Sequence, residues 1–333
     1  MMKTFALHIF LICTTVSAAI GCARDESDFP PASEGIRFEA TADRIGSEGE
    51  SSQGNDVTTT YTIPDFRVSA FKQWETLMDN VVVTRTGINS WMYSPAVDWP
   101  ENDSVDFFAV SPSSVKINNN QWWYHSFRYV NTDYATDLLI SVKSKAVQSD
   151  GRIRLNFRHA LARVQVRLKT SDTSSVIKVD QIDVRNIQKY GEFHYPMQTT
   201  SPETNRGELF KCWNVYSANE AITLFQASDG NTLDPSGEVI IVGPENLFML
   251  PDSLTTLDQQ QHWTGTHIYL SYTRDRVANV SRIGLRESTP DAKWLPGRSY
   301  RYTVDITPAQ NMTRGDAKKP DKVRITCEVS DMQ

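Results

Sequence analysis

Apolar residues alternate with polar ones in many short runs along the chain, and turn-forming residues separate these runs. Residues 164–168, for example, have the sequence V-Q-V-R-L, which puts the apolar side chains on one face of an extended segment. A strand with one buried and one solvated face requires this period of two. Helical periodicity is nearly absent, and its best candidate is one or two turns within residues 157–163. The pattern therefore predicts an all-β protein.

The predicted strands are short and recur throughout the chain beyond residue 35. They cover residues 36–40, 66–71, 80–84, 91–93, 105–110, 138–142, 153–157, 164–168, 179–184, 221–225, 239–242, 268–272, 300–306 and 323–329. Many short strands with turns between them are typical of β-sandwiches. At roughly 150 residues per domain, a chain of 333 residues has room for two. We predict an N-terminal sandwich over residues 36–157 and a C-terminal sandwich, with a terminal strand, over residues 158–333.

The first 21 residues have the features of a bacterial export signal. Lys3 supplies the charged start, residues 5–16 are mainly apolar, and small residues follow at positions 17–19. The sequence A-I-G-C at residues 19–22 resembles the lipobox of bacterial lipoproteins, in which the cysteine receives the lipid. We therefore predict a lipoprotein signal peptide over residues 1–21 and lipid attachment at Cys22, with acyl chains in a membrane leaflet. An ordinary secretory signal cut near Ala19 is the alternative.

Residues 22–35 are then an acidic tether. Asp25, Glu26 and Asp28 follow Cys22 closely, which resembles the acidic tag that directs Bacteroidetes lipoproteins to the outer face of the outer membrane. A merely polar tether is the alternative. Further along, residues 47–56 contain no apolar residue, which predicts a flexible loop.

Charge and cysteine content narrow the class of protein. Lys and Arg total 34 against 40 Asp and Glu, so the net charge is -6 and there is no basic excess for binding nucleic acid. Of the four cysteines, Cys13 belongs to the signal and Cys22 to the lipid site. Cys212 and Cys327 could form a disulfide in an oxidising envelope, or each could be a small buried apolar residue.

Motifs that support catalysis or cofactor binding are missing from the sequence. It contains no H-E-x-x-H, no G-x-S-x-G, no Walker loop and no G-x-G-x-x-G. We therefore predict a protein that is not an enzyme and needs no cofactor or metal. His159 is expected to pack or to form a hydrogen bond where the two domains join.

One aromatic cluster could indicate ligand binding. Trp122, Trp123 and Tyr124 follow a run of Asn and Gln residues, and such a cluster could present an exposed platform for sugar rings. The alternative is that these side chains alternate between the sandwich core and a covering edge.

Four sequence blocks, in order, resemble the fimbrillin-like family of the Bacteroidetes. Residues 157–164 are similar to its signature F-x-H-x-L-A-(R/K)-V, and residues 91–112 contain W-M-Y-S-P, D-W-P and V-D-F-F-A-V-S-P, which resemble an upstream block. The segments F-M-L-P at 248–251 and P-G-R-S-Y-R-Y at 296–302 resemble two later elements. The resemblance extends over residues 36–329.

The resemblance implies a fold and a role. It implies two tandem transthyretin-like β-sandwich domains with Greek-key-type antiparallel strands, in a fimbrial subunit or accessory tip or anchor component that supports adhesion. In such proteins a surface protease, arginine- or trypsin-like, cuts after the first strand, and a donor strand from another fimbrial subunit replaces it. The expected location is the outer membrane surface, and the fimbrium after processing. The alternative is a lipoprotein that does not polymerise and binds a glycan or host ligand.

Candidate sites follow from the resemblance. Residues 36–40 are the removable strand, and cleavage is expected between Arg44 and Ile45, although Arg44 could also be an ordinary solvated loop residue. Four alternating apolar residues near the end of the sequence could be a donor strand, or equally the last strand of the C-terminal sandwich: Val323, Ile325, Cys327 and Val329. Shaft subunits of the family often have a longer tail, which leaves a tip, anchor or stand-alone role open here.

Overall fold

β-strands account for most of the described residues in a computed structural model of the chain. The structure describes residues 35–42, 63–73, 75–87, 90–101, 103–121, 124–196, 206–216, 219–258, 260, 263–307 and 323–332. The predicted all-β class is confirmed.

The strands are numbered in chain order. In the first part of the chain they are β1 (Arg37–Ala42), β2 (Asp65–Lys72), β3 (Glu75–Gly87), β4 (Ser90–Met92), β5 (Val105–Ser111), β6 (Asn118–Gln121), β7 (Tyr124–Val130), β8 (Leu139–Ala146), β9 (Arg152–His159) and β10 (Ala162–Lys169). In the second part they are β11 (Ile177–Ile187), β12 (Tyr190–His194), β13 (Trp213–Tyr216), β14 (Glu220–Thr232), β15 (Ile240–Met249), β16 (Asp252–Ser253), β17 (His267–Arg274), β18 (Val277–Gly284), β19 (Lys293–Trp294), β20 (Arg298–Asp305) and β21 (Arg324–Asp331). A short helix, α1 (Arg206–Lys211), precedes β13.

The first sheet has the strand order β1-β9-β8-β5-β2-β3-β4. β1 runs parallel to β9, and the remaining neighbours are antiparallel. Its buried face closes on one apolar core whose buried members all lie within residues 36–157. Large aromatic side chains fill much of this core, among them Phe38, Phe66, Phe107 and Phe157.

Two four-stranded sheets enclose a second core. Their orders are β15-β10-β20-β21 and β14-β11-β17-β18. The buried members of this core lie within residues 162–306 and come from both sheets, which is the arrangement of a β-sandwich. Its largest fully buried side chains are Trp294, Tyr272, Tyr300 and Tyr302.

A fourth sheet joins strands from the two halves of the sequence, in the order β13-β12-β7-β6. Its aromatic side chains Phe127, Phe193 and Trp213 pack together and against a third core that draws on residues from 71 to 332. The division into domains at residues 157 and 158 stays a prediction: two of the cores fall on opposite sides of it, while β9 continues two residues past it to His159.

The helical turn predicted within residues 157–163 is wrong. β9 ends at His159, β10 begins at Ala162, and Ala160 and Leu161 connect them while fully buried. Phe157, Leu161 and Val164 have helical spacing because a tight connection between two core strands buries them in succession, and not because they share a helix face.

His159 lies in the protein interior next to a buried carboxylate. It is buried, and its Nδ1 forms a hydrogen bond with Oδ2 of Asp137, which is also buried. Asp137 uses its other oxygen to accept the main-chain N–H of Leu138 at 2.8 Å. This pair lies beside the third core, where strands of the two halves meet.

The candidate functional site at strand β1

β1 is an edge strand with a single strand neighbour. Its six residues pair in register with residues 152–157 of β9, from Arg37 opposite Arg152 to Ala42 opposite Phe157. β8 pairs with β9 at Arg158 and His159. Among the described strands, β1 is therefore the partner that completes the ladder along residues 152–157 of β9.

The inward face of β1 fills the first core. Phe38 is 3% exposed, and Ile36, just before the strand, is 2% exposed. The ring of Phe38 makes edge-to-face contacts with Phe66, Tyr93 and Phe107 at centroid distances of 5.9, 5.6 and 5.9 Å. Burying a side chain of this size contributes about 1.5–3 kcal/mol, so Phe38 is the main apolar anchor of the strand.

The start of β1 is fixed by main-chain contacts. The Ile36 N–H donates to the Val97 carbonyl oxygen at 2.9 Å. The Tyr93 hydroxyl donates to the Ile36 carbonyl oxygen at 2.7 Å, and burial raises the pKa of this hydroxyl. In the sequence, the only signal of this role of Tyr93 is its place in the family-like W-M-Y-S-P block.

The outward face of β1 makes weaker contacts. Arg154 Nε lies 3.2 Å from Glu39 Oε2, but the Arg154 side chain is 79% exposed. Thr41 Oγ1 donates to Asn156 Oδ1 at 3.0 Å in an exposed position. Exposed pairs of this kind contribute at most about 1 kcal/mol. The ladder to β9 and the apolar face therefore hold β1 in place.

We call the space that β1 occupies the β1 groove: the edge of residues 152–157 that β1 covers, together with the rings of Phe66, Tyr93 and Phe107. An extended segment with apolar residues at alternate positions could form the same ladder and place side chains where Phe38 lies.

The strand predicted over residues 36–40 is present as β1, shifted by one to two residues, and its removal stays a prediction. Several other predicted sites lie outside the described residues, namely Cys22, Arg44, Ile45, Trp122 and Trp123. Tyr124 is the first residue of β7, next to the last two of these.

The C-terminal strand β21 is docked on its own sheet. It pairs antiparallel with β20, and the predicted donor residues Val323, Ile325, Cys327 and Val329 are half-buried against the second core. Asp331 lies between Arg206 Nη2 at 2.7 Å and Arg298 Nη1 at 3.0 Å. Met332 is 2% exposed, and its N–H donates to the Gly297 carbonyl oxygen.

Cys212 and Cys327 are free thiols in the structure. Burial raises the pKa of each to about 11, so both are protonated at neutral pH. Of the two alternatives left open by the sequence, the structure has the half-buried thiols and not the disulfide.

A cavity of about 740 Å³ lies beside the β6–β7 hairpin. Lys116, Arg128, Tyr129 and Asp133 are among its lining residues. The hydroxyl of Thr136 and two main-chain N–H groups donate to Asp133 and lower its pKa.

The described residues include neither a metal-binding cluster nor a membrane-spanning helix. They contain no group of three or more His, Cys, Asp or Glu side chains arranged to hold a metal ion. They also contain no helix with the length and apolar character that a membrane span requires.

A model of the fimbrillin-like family matches residues 37–330 of the sequence. The match begins at the first residue of β1 and ends one residue before the end of β21. No curated protein matches the sequence significantly.

Solved structures of low sequence identity also resemble the chain. A candidate cell adhesion protein from Bacteroides uniformis ATCC 8492 is 14% identical with a TM-score of 0.53, and the alignment covers 91% of this chain and 99% of that one. The fimbrial anchor protein Mfa2 from Porphyromonas gingivalis is 12% identical over 90% and 97% of the two chains, with a TM-score of 0.39. The fimbrilin FimA from Porphyromonas gingivalis W83 is 10% identical over 89% and 97%, with a TM-score of 0.44. At these identities the likeness concerns the fold alone.

Proposed function

The chain belongs to the fimbrillin-like family, and from that membership we propose that it is a fimbrial subunit or an accessory tip or anchor component at the cell surface. In this role it assembles with other fimbrial subunits and supports adhesion. The role is non-enzymatic: the chain would act through strand exchange and surface contact. The observation that carries the proposal is β1, a strand with one neighbour whose apolar face fills the first core.

Assembly would proceed by donor-strand exchange at the β1 groove. A surface protease of arginine- or trypsin-like specificity cuts between Arg44 and Ile45, two residues beyond the end of β1. While β1 is covalently attached, its effective concentration at the groove excludes a competing strand. After the cut only noncovalent contacts hold β1, and a donor strand from another subunit can replace it.

The lipid anchor and the removable strand lie on the same side of the cut. Cys22 precedes β1 by 15 residues, so cleavage at Arg44 would leave the lipid on the fragment that contains β1. The uncut protein is then an outer-membrane lipoprotein, and the body of the cut protein is free to enter a fimbrium once β1 leaves the groove.

The donor strand could be β21 of a neighbouring subunit. Its alternate apolar residues suit the β1 groove in pattern, but in this chain they already pack on the second core. Donation would therefore require the contacts of Asp331 and Met332 to be released first.

The test uses the purified full chain and an arginine-specific protease. We expect a new N-terminus at Ile45, followed by SDS-resistant oligomers as donor strands fill open grooves. Arg44→Ala should block both results. Arg37→Ala, in which an exposed arginine of β1 is removed, is the matched control and should still be cut at Arg44. Protein recovered from the cell surface that still begins at lipidated Cys22 would contradict the cleavage step.

A second candidate function is ligand binding without polymerisation. The cavity of about 740 Å³, with Lys116 and Arg128 among its lining residues, favours it. A chain that is cut after Arg44 and remains a monomer would support this alternative. Binding of a glycan that is lost on replacing Lys116 and Arg128 would then place the ligand at the cavity.

A further inference from the structure

A row of stacked cationic and aromatic side chains lies on the face of β17 and β18 that points away from the second core. Arg185 lies 3.7 Å from the ring centroid of Tyr269, and Arg282 lies 5.3 Å from the same centroid. Arg282 is also 4.5 Å from the ring centroid of Trp263. Ile268 and Leu270 point into the core, so Tyr269 between them points outward. We call Arg185, Tyr269, Arg282 and Trp263 the Arg282 cluster.

The charge of Arg185 is already compensated. Its Nε and Nη2 donate to Asp183 Oδ2 at 2.9 and 2.6 Å. Gln181 Nε2 lies within 2.9 Å of both oxygens of the same carboxylate. Asp183 is 2% exposed, so this ion pair is a fixed part of the sheet surface, and the carboxylate neutralises the charge of Arg185.

Arg282 is different. It pairs in register with Tyr269 across the β17–β18 hairpin and is half-buried between two aromatic rings. Among the described residues its guanidinium has no hydrogen-bond acceptor and no ion-pair partner. A guanidinium has five N–H donors in a planar fork that matches a carboxylate. Stacking on the rings holds the group in position, and no described residue takes up its donors.

The second ring is held by a constrained loop. Trp263 has φ = 63°, a left-handed conformation that is uncommon for a bulky residue. Asn186 Nδ2 donates to the carbonyl oxygens of Trp263 and Gly265 at 2.5 and 3.1 Å. At Gly265, φ is 94° and a Cβ would lie 2.6 Å from the Thr256 carbonyl oxygen. The loop is therefore shaped to place the indole beside Arg282, and such constraint is common at functional sites.

The surroundings of the cluster leave Arg282 as the available cation. His267 is buried at the start of β17, two residues before Tyr269, and burial, with Arg185 and Arg282, lowers the pKa of His267. Its imidazole is therefore neutral at pH 7. Two short polar residues are close in sequence: exposed Thr264 follows Trp263, and half-buried Ser271 lies two residues after Tyr269 on the same face of β17.

We propose that the Arg282 cluster binds an acidic sugar, with the carboxylate of a uronic or sialic acid residue on Arg282 and the pyranose ring beside Trp263. One available cation between two rings suits a ligand that combines one carboxylate with a flat ring face. Neighbouring hydroxyl groups suit the hydroxyls of a sugar. The proposal deepens the adhesion role and rests on it for its biological meaning. Binding is measured without assembly, so failure of strand exchange and failure of this site are distinguishable.

The test compares D-glucuronic acid with D-glucose, which differ at one carbon as carboxylate and hydroxymethyl. Binding to the purified full chain is followed by tryptophan fluorescence and by saturation-transfer NMR. We expect glucuronic acid to bind at least tenfold more tightly than glucose. Arg282→Gln should weaken glucuronic acid at least tenfold, and Arg282→Lys should weaken it less because the charge remains.

Arg276→Gln is the matched control, because Arg276 is an exposed arginine in the turn of the same hairpin. It should change the affinity by less than twofold, and circular dichroism should show that all variants are folded. Equal binding of the two sugars by the unaltered protein overturns the proposal, whatever the variants do. Tighter binding of triglutamate than of glucuronic acid also overturns it, in favour of an acidic peptide.

Discussion

The hydroxyl of Tyr93 donates a hydrogen bond of 2.7 Å to the main-chain carbonyl oxygen of Ile36, the residue before β1. The same hydroxyl lies 3.4 Å from the Val97 N–H, and the Val97 carbonyl oxygen accepts the Ile36 N–H at 2.9 Å. Two of these contacts, both made by Ile36, fasten the start of β1 to Tyr93 and Val97, and the third joins Tyr93 to Val97. Any process that removes β1 must break the two contacts of Ile36.

Tyr93→Phe should weaken the attachment of β1. The ring keeps its contact with Phe38, but the Ile36 carbonyl loses its donor, and we expect a loss of about 0.5–1.5 kcal/mol in the free energy of unfolding. Urea titration measures this loss. Tyr190→Phe is the control, because Tyr190 is 43% exposed and its replacement should change stability by less than about 0.5 kcal/mol. Equal midpoints for the two variants would show that the hydrogen bond has no role in holding β1.

Phe38→Ala tests the apolar anchor. Removing a fully packed ring should lower the free energy of unfolding by about 3–5 kcal/mol, since the contacts with Phe66, Tyr93 and Phe107 are lost and a cavity remains. Glu39→Ala, one residue further, removes an exposed ion pair and should cost less than about 1 kcal/mol. After cleavage at Arg44, the Phe38→Ala protein should also release the β1 fragment faster on a sizing column. Comparable stability of the two variants would argue against β1 as a core strand.

Asp331→Asn tests how firmly β21 is docked. Arg206 and Arg298 both contact this carboxylate, so its neutralisation should cost about 1–3 kcal/mol and speed amide hydrogen exchange at the end of β21. Glu328→Gln on the same strand removes an exposed pair with Arg167 at 3.8 Å and should change exchange little. Slow exchange in both proteins would mean that Met332 and the ladder to β20 hold β21 without the ion pairs.

The thiols of Cys212 and Cys327 should react slowly with a maleimide at pH 7. Burial raises the pKa of each to about 11, and the thiolate is the reactive form. Denaturation should make both thiols react much faster than they do in the folded protein. Mass spectrometry should then find a separate maleimide adduct on the Cys212 peptide and on the Cys327 peptide. A peptide pair linked through Cys212 and Cys327 before reduction would contradict the free thiols.

Asp252 should make stability depend on pH. Burial raises its pKa from 3.8 to about 6, against hydrogen bonds from Ser253 and Gln188 that lower it. The pKa of Asp252 is higher in the folded state than in the unfolded state, so protonation of this carboxyl stabilises the folded protein. This contribution is complete below pH 3.8 and is lost as pH rises through about 6. Asp252→Asn should therefore be more stable than the unaltered protein by about 1–2 kcal/mol at pH 8, with no difference near pH 4. Glu238→Gln, at an exposed position, should show no such pH dependence.

Much of the fold could be predicted from local pattern. The alternation in residues 164–168 and 36–40 corresponds to β10 and β1, because the period of two in a strand is set by backbone geometry alone. β7 and β12 were not predicted, although they form the centre of the fourth sheet. Val130 and Tyr190 are exposed and interrupt simple alternation, and it is pairing between distant segments that makes β7 and β12 strands.

Local sequence pattern was enough to predict the all-β class, the order of the family-like blocks and the position of the first strand. Tertiary structure decided that β1 has a single neighbour, that Tyr93 fastens it, and that β21 lies on its own sheet. It alone brought Arg185, Tyr269, Arg282 and Trp263 into one row. The difference lies in how far apart in sequence the interacting residues are. The period of a strand depends on residues that are neighbours in sequence, whereas a groove or a stacked cluster depends on which distant segments the sheets bring together.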